Sequence, residues 1–508
     1  MRHPALIAAL VAAALLAALS VTFPLGDPDL WQHLTVGRAL WSMHAVPQVN
    51  LWTWPTYGQP QVLPSWGFRA LLWPFYAAGG VTGLFVWRWL TTLAAFGIAW
   101  AAARRMGARG LTPLVVLILC LQVYRVRSQV RPETLVAVLL ALQIWLLESH
   151  RALRASGPTT VAGPRTASDP APWLIVVACV WANVHISYWM GLALTAIHWV
   201  AGGRAPRAPA RRGLGGVLLV SVLVSFLNPF GWRALAEPFQ YWFVWRHELI
   251  FKLITELGPI DWSVNTLNGL PLVLAGWPLL LAWRARRSGL DLAETLTALL
   301  FIGMTLSSQR FIGPLAVVAA PYLSRDLEAW VRARSWPAWS AGAWSRAALA
   351  LAACAAIVPS GWVIPGLRPG IGIAAEGPPR AACDFIDAHG VRGRAFNQFE
   401  LGGYLLWRFW PDRGRLPFID IHQTGTPQDR LLYVGASFDP QAWRDLDQRR
   451  HFDWALVKSA PAPGDSTLYI LAADTTWTRV FADPVAAVFV KRGGAAAARA
   501  DSLVHRSS

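Results

Sequence analysis

Charge is what this chain has least of: only 14% of its 508 residues are Asp, Glu, Lys or Arg, whereas 55% are hydrophobic. An ordinary soluble core cannot conceal that much apolar surface, so a water-soluble globular protein is excluded and an integral membrane protein is implied. Cysteine is scarce too. Cys120, Cys179 and Cys354 fall in or beside apolar runs and Cys383 stands alone in the polar C-terminal part, which excludes a disulfide framework and a CxxC metal site. That C-terminal part also lacks a nucleophile triad, a phosphate loop and a complete metal motif. The formal charge of +17 could suggest nucleic acid, but the arginines lie in small groups between apolar runs and form no single stripe, so membrane topology explains them better.

The apolar runs include Met1 to Pro24, Gly80 to Ala103, Thr134 to Leu147, Leu214 to Phe226 and Ala347 to Val363. They approach the roughly 20 residues that a helix needs to cross about 30 Å of hydrocarbon, and the shorter ones borrow flanking aromatics. The 30 tryptophans lie largely beside these runs, where an amphipathic ring sits at headgroup level. Trp31, Trp52, Trp54 and Trp66 are the candidates for something more, because they flank an acidic motif. Arg2 and His3 ahead of an Ala/Leu-rich stretch resemble a signal peptide, but the apolar run is long, so an uncleaved helix is expected; either reading puts residue 27 outside.

Short cytoplasmic loops are enriched in Lys and Arg. With the N-terminus inside, the loops around residues 104–109, 151–165, 204–212, 284–287 and 325–346 are all inside and all basic. About eleven spans follow, at roughly 4–24, 80–102, 110–123, 134–149, 171–184, 188–202, 214–228, 267–283, 291–307, 311–323 and 347–364, and the odd number puts the tail outside. The expected fold is therefore an α-helical polytopic membrane domain over 1–364, with long outer loops at about 25–79 and 229–266, then a small extracytoplasmic α/β domain over 365–493 and a disordered tail over 494–508. Ser65 to Tyr76 and Trp232 to Leu253 are predicted to lie along the interface. In the C-terminal domain Phe385 to His389 and Gly403 to Phe409 read as helices, and Leu416 to Ile421, Asp453 to Val457 and Ala486 to Lys491 as strands.

Polar side chains near hydrocarbon are expensive, and where they cluster they usually mark a site. The outer ends offer Asp27, Asp29 and His33; Arg125, Arg127 and Arg131; Asn183 and His185; Asn228; Glu256 and Asp261; and Gln309 and Arg310. Asp27 and Asp29 flank Pro28, with His33 one helical turn beyond Asp29, a spacing that suits a general base or ligands for a divalent cation. Asp29 can equally cap a helix starting at Leu30. The arginine trio is out of place in a short outer loop and fits phosphate, whose oxygens take planar bidentate bonds from guanidinium; lipid headgroups or a salt bridge to Glu133 would also satisfy it. Arg310 admits the same readings. His185 is either a ligand or proton carrier or simply hydrogen-bonded, and Asp261 either joins Glu256 as an acidic pair or is a solvated loop carboxylate.

These residues carry a resemblance. Gly26-Asp27-Pro28-Asp29-Leu30-Trp31-Gln32-His33-Leu34 with Gly37-Arg38, then Arg131-Pro132-Glu133, the segment from Trp181 to His185 ending at Gly191, and Asn228-Pro229-Phe230-Gly231 resemble a group of bacterial multispanning proteins that look like GT-C membrane glycosyltransferases. The tail is similar in Phe396-Asn397, Gly402-Gly403-Tyr404-Leu405, Ile419-Asp420 and Trp477 to Val490. Gln32 departs from the pattern where a second aromatic is expected, as does Ile186-Ser187 where a glycine often follows the histidine. The Trp-Trp-Asp motif of oligosaccharyltransferases is absent, so peptide-asparagine glycosylation is not supported.

The resemblance implies a transferase of the bacterial cytoplasmic membrane that moves a sugar, with inversion, from a polyprenyl-phosphate donor to an extracytoplasmic glycan, lipid or protein. Asp27 and Asp29 are then the catalytic candidates, and Arg125, Arg127, Arg131 and Arg310 the phosphate ligands. Trp31, His33, Asn183, His185, Asn228, Glu256 and Asp261 would contact substrate, and Asp27, Asp29 and His33 would hold Mg or Mn if a cation is used. The alternative is a non-enzymatic protein that binds, moves or scaffolds lipid-linked glycans.

Overall fold

A computed structural model describes residues 3–155, 168–202, 210–364, 366–374, 377–420 and 426–494. The chain divides into two compact units, one of Met1–Leu25, Phe75–Pro238 and Thr255–Gly372, the other of Gly26–Pro74, Phe239–Ile254 and Ile373–Ser508. This division by contacts differs from the single cut near residue 364 that the hydropathy suggests. Parts of both long loops belong with the C-terminal residues because their side chains find partners there. Trp54 Nε1 donates to the Ala395 carbonyl at 2.9 Å, Ile250 shares a core with Phe418 and Tyr433, and Arg430 forks onto Glu248 at 2.6 and 2.8 Å.

The first unit is helical. Helices at Pro4–Ser20, Thr112–Tyr124, Glu133–Ala155, Trp173–Val184, Trp189–Gly202, Ala210–Ser225, Leu270–Ser288, Leu292–Ser307, Ile312–Arg332 and Ala343–Ile357, with the part of Trp66–Arg105 from Phe75 onward, fall near the expected intervals. Three stretches among the described residues, Trp66–Arg105, Glu133–Ala155 and Ala343–Val363, are long and apolar enough to cross a membrane; four others, including Pro4–Ser20 and Leu292–Ser307, are apolar but shorter. Proline near the first helical position starts several of these, as at Pro4 and Pro113, where its missing N–H costs nothing. The expected interfacial helix near residues 65–76 and the following span form one helix, broken at Gly80 with φ 53° and ψ −134°. Only glycine takes that conformation without strain.

Buried Trp181, Trp277 and Tyr322 anchor the interior of this unit, with Trp277 stacked on Tyr322 at 5.7 Å. Where the helices end in basic loops, the arginines are not merely solvated. Glu148 accepts from Arg151 Nη1 at 2.8 Å and Tyr322 OH at 3.0 Å, and Arg325 bonds Glu294 and Asp326. Arg165, Arg204 and Arg207 of those loops lie outside the described residues.

The second unit holds a four-stranded sheet ordered β1 (Ala395–Asn397), β2 (Trp454–Lys458), β4 (Ala486–Lys491), β3 (Trp477–Ala482). β1 runs parallel to β2, and the other pairs are antiparallel. The expected strands at 453–457 and 486–491 are present, as are helices at Arg380–Ala388 and Phe399–Phe409. Leu416–Asp420 is not a strand. Pro417 lacks an amide for a ladder, and the Asn397 side chain takes the backbone instead, accepting from Phe418 N and donating to Ile419 O, each at 2.8 Å. Ile421 and the expected disordered residues 495–508 lie outside the described residues. Of the stretch expected to lie along the interface at 232–253, residues 232–243 and 249–252 are helical.

Candidate functional site

The candidates divide between the two units. In the first, helix ends and one loop gather Arg127, Arg131, Glu133, His185, Glu256 and Arg310. Arg127 sits in the turn Arg125–Ser128 and Arg310 in the turn Gln309–Phe311. Arg127 Nη1 and Arg131 Nη1 both donate to Glu256 Oε2 at 2.7 Å. Arg310 Nη2 donates to Glu133 Oε1 at 3.2 Å, and His185 Nε2 lies 3.9 Å from the same oxygen. Arg310 thus makes the salt bridge to Glu133 that is one of its readings. Gly313 makes room for Arg127: a Cβ there would sit 3.1 Å from Arg127 Cβ.

The Glu256 loop is latched to the Arg310 turn through the backbone. Ser308 Oγ donates to Glu256 O at 3.2 Å, Gln309 N to Gly258 O at 3.0 Å, and Gln309 Nε2 to Thr255 O at 2.6 Å. Burial works against the Glu256 charge, but Arg131, Arg310 and Arg127 outweigh it and hold the carboxyl well below the usual range. Burial likewise opposes the Arg310 charge, and Glu256 and Glu133 reverse the balance and raise it. Burial pushes His185 down to about 4, against the pull of Glu133. Its Nδ1 accepts from Ser187 N at 3.1 Å, so the neutral ring carries its proton on Nε2, facing Glu133. Three guanidiniums are brought together here, and guanidinium is a natural partner for an anion.

Four other expectations in this unit resolve as structure. Arg125 is buried, donating to the Ser20 and Leu367 carbonyls with its guanidinium 5.2 Å from the Phe23 ring. It is not available to a phosphate. Asn183 Nδ2 donates to Cys179 O and Leu227 O at 2.9 and 3.0 Å. Asn228 Oδ1 accepts from Phe230 N at 2.8 Å and shapes the Asn-Pro turn. Asp261 caps the helix Trp262–Asn265 by accepting from Ser263 N at 2.9 Å, and those bonds hold its carboxyl below the usual range. These side chains satisfy the backbone. Arg88 was not anticipated: it is buried and donates to Val21 O at 2.9 Å and Phe23 O at 2.7 Å, fixing the segment just before Gly26.

In the second unit the acidic motif opens the helix Asp29–Met43. Pro28, not Asp29, is the residue before the helix and offers no side-chain cap, while Asp27 Oδ1 accepts the Asp29 amide at 2.9 Å. Asp29 stands in the first helical turn, where a carboxylate favours the helix dipole. The helix packs closely on the C-terminal residues of its own unit: a Cβ on Gly403 would lie 2.8 Å from Pro28 O. Gln32 Nε2 donates to Asp420 Oδ2, so the residue that departs from the aromatic pattern has a polar task. Arg69 Nε donates to His33 Nδ1 at 3.2 Å, and the Asp420 and Asp29 carboxylates both act on the Arg69 guanidinium. Arg69 had no local signal, and Asp420 stood out only as part of the family pattern. Trp31 is buried edge-on against Tyr404 at 5.1 Å, and Trp52 and Trp54 are also packed within the unit. Among the described residues, no three His, Cys, Asp or Glu side chains gather as a metal ion would need.

The comparisons bear on the fold. The Archaeoglobus fulgidus oligosaccharyltransferase AglB, solved with an inhibitory peptide and a dolichol-phosphate, matches 89% of this chain over 69% of its own, with a TM-score of 0.61 and 11% identity. ArnT from Cupriavidus metallidurans matches 95% over 97% of its own length in the apo state, with a TM-score of 0.54 and 14% identity. Bound to undecaprenyl phosphate it matches 96% over 97%, with a TM-score of 0.50 and 14% identity. No family model and no curated protein matches the chain. Likeness at such identities speaks for architecture alone: the chain shares the fold of these two proteins.

Proposed function

We propose that this protein is a glycosyltransferase of the bacterial cytoplasmic membrane that takes a sugar from a polyprenyl-phosphate donor and passes it to an acceptor at the outer face. The observation that carries the reading is the convergence of Arg127 and Arg131 on Glu256, beside Arg310 on Glu133, in the first unit. The GT-C-like fold supports it, because the similar structures were solved with dolichol-phosphate and with undecaprenyl phosphate.

Transfer in one displacement breaks the bond between the anomeric carbon and the phosphate oxygen, forms one to the acceptor oxygen and inverts the carbon. The leaving phosphate gains charge, and guanidiniums aimed at it lower the barrier. The acceptor hydroxyl has a pKa far above neutral, so a carboxylate that removes its proton as attack proceeds supplies about 10² to 10⁴ in rate. Asp29, in the first turn of its helix, is the first candidate for that base. Asp27 and Asp29 are also the carboxylates a divalent cation such as Mg or Mn would use, adding charge stabilisation; His33 fits that set less well because Nδ1 is engaged by Arg69.

One observation favours the alternative of a protein that only binds lipid-linked glycans: Asp27 holds the Asp29 amide, a task that needs no chemistry. Asp27→Asn and Asp29→Asn in purified, folded protein separate the two. On the enzyme reading at least one of them loses transfer from a polyprenyl-phosphate sugar while still binding polyprenyl phosphate. Unchanged transfer in both contradicts a catalytic carboxylate here.

A further inference from the structure

We infer that the Glu256 carboxylate occupies the anion position that the donor phosphate takes over, so that binding at this site is an exchange of one anion for another. The inference rests on the phosphate-binding reading of Arg127 and Arg131, and adds to it how the site is held before the donor arrives.

A single oxygen, Glu256 Oε2, accepts from Nη1 of both Arg127 and Arg131 at 2.7 Å. Two guanidiniums are thereby aimed at one point by one carboxylate. A tetrahedral phosphate offers more acceptor oxygens at the same place, and each guanidinium has five donors with which to use them. The two arginines come from the turn Arg125–Ser128 and the stretch just before Glu133–Ala155. Glu256 comes from a separate turn, Thr255–Leu257, so it can leave without disturbing the guanidiniums.

The pair is also reachable. The Glu256 side chain is 22% exposed, against 14% and 20% for Arg127 and Arg131. The other carboxylate of the group behaves differently: Glu133 is the first residue of its helix and faces Arg310 and His185, so it stays as the fixed countercharge. The latch that must yield is short. It consists of Ser308 and Gln309 holding the backbone of residues 255–258.

Exchange has a consequence that ordinary recognition lacks, because removing the Glu256 charge should improve binding. The probe is a C55 polyprenyl monophosphate, with inorganic phosphate as a parallel arm, titrated against the full chain in lipid nanodiscs. Glu256→Gln keeps the shape and removes the competing charge, and its affinity for the lipid phosphate is expected to rise by on the order of tenfold. Arg131→Ala and Arg127→Ala are expected to lower it by a similar factor. Competition by inorganic phosphate in the Gln variant marks the headgroup as the recognised part; failure to compete assigns a share to the polyprenyl chain and leaves the exchange standing on the lipid arm.

On the wild-type chain, hydrogen exchange gives a second readout. The amides of Gln309 and Asp261, which donate to Gly258 O and to Gln309 Oε1 across the latch, should lose protection when the polyprenyl phosphate is added. If Glu256→Gln binds equally or more weakly and these amides keep their protection while the arginine variants lose affinity, the exchange is wrong and the phosphate site stands. If the arginine variants bind as the wild type does, the phosphate reading itself fails.

Discussion

The two polar regions of this protein are built in opposite ways. The acidic motif of the second unit is fixed by packing: Asp27 holds the Asp29 amide, Gly403 admits the Pro28 carbonyl, and Gln32 is tied to buried Asp420. The arginine group of the first unit is fixed by charge between loops, with Arg127, Arg131, Arg310, Glu133 and Glu256 partly exposed and His185 buried. A buried hydrogen-bonded region costs stability when altered, whereas a semi-exposed ionic group changes its partners at little cost to the fold. The contrast teaches that burial alone does not identify function, since the more tightly held region contains both the presumed base and much that merely holds it.

The largest expected effect separates those two parts. Asp29→Asn should lower transfer by about 10² to 10⁴ with little change in the thermal midpoint; a large fall in the midpoint with a proportionate fall in rate would make the region structural only. Next comes Gly403→Val. Its first side-chain carbon would press on Pro28 O at 2.8 Å, and overpacking of this kind costs about 1–3 kcal/mol. Thermal unfolding of the second unit should therefore shift downward, and an unchanged midpoint would mean that this contact relaxes freely.

The smallest effect concerns the first unit and pH. His185 is held neutral, at about 4 by burial, below its ordinary value near 6.5. Because the unfolded chain takes up the proton first, the stability linked to His185 is fully present above about 6.5 and is lost as pH falls towards 4. Denaturation midpoints of the wild type should drop across that window, and His185→Gln should flatten the drop. The Glu256 carboxyl contributes in the same direction but at lower pH, below the ordinary carboxylate value. An equal drop in the Gln variant between 6.5 and 4.5 would assign the effect elsewhere.

Much of the helical layout was legible because apolar runs and their basic flanks follow from the cost of exposing charge to hydrocarbon. What the sequence could not reveal was which partners its polar residues would choose. Arg125, Arg127 and Arg131 look alike on paper, yet Arg125 reaches backbone carbonyls while the other two reach Glu256. Asp29 does not take the cap position that local preference assigns, because Pro28 became the residue before the helix. Arg69 and Asp420 gave no local signal, since their meaning lies in contacts with Gln32 and His33 far away in sequence. The grouping of the loops with the C-terminal residues was illegible for a related reason. Trp54 and Ile250 are apolar whichever partner covers them, and the partner proved to be the C-terminal core.

The central claim is tested most directly by following release of polyprenyl phosphate from a panel of polyprenyl-phosphate-linked sugars by the purified protein in nanodiscs. The account predicts acceptor-dependent release from at least one donor by the wild type, and its loss in the Arg127→Ala, Arg131→Ala double variant. Binding of the donors with no release from any of them, under conditions where envelope acceptors are supplied, would contradict it and leave a lipid-glycan binding protein in its place.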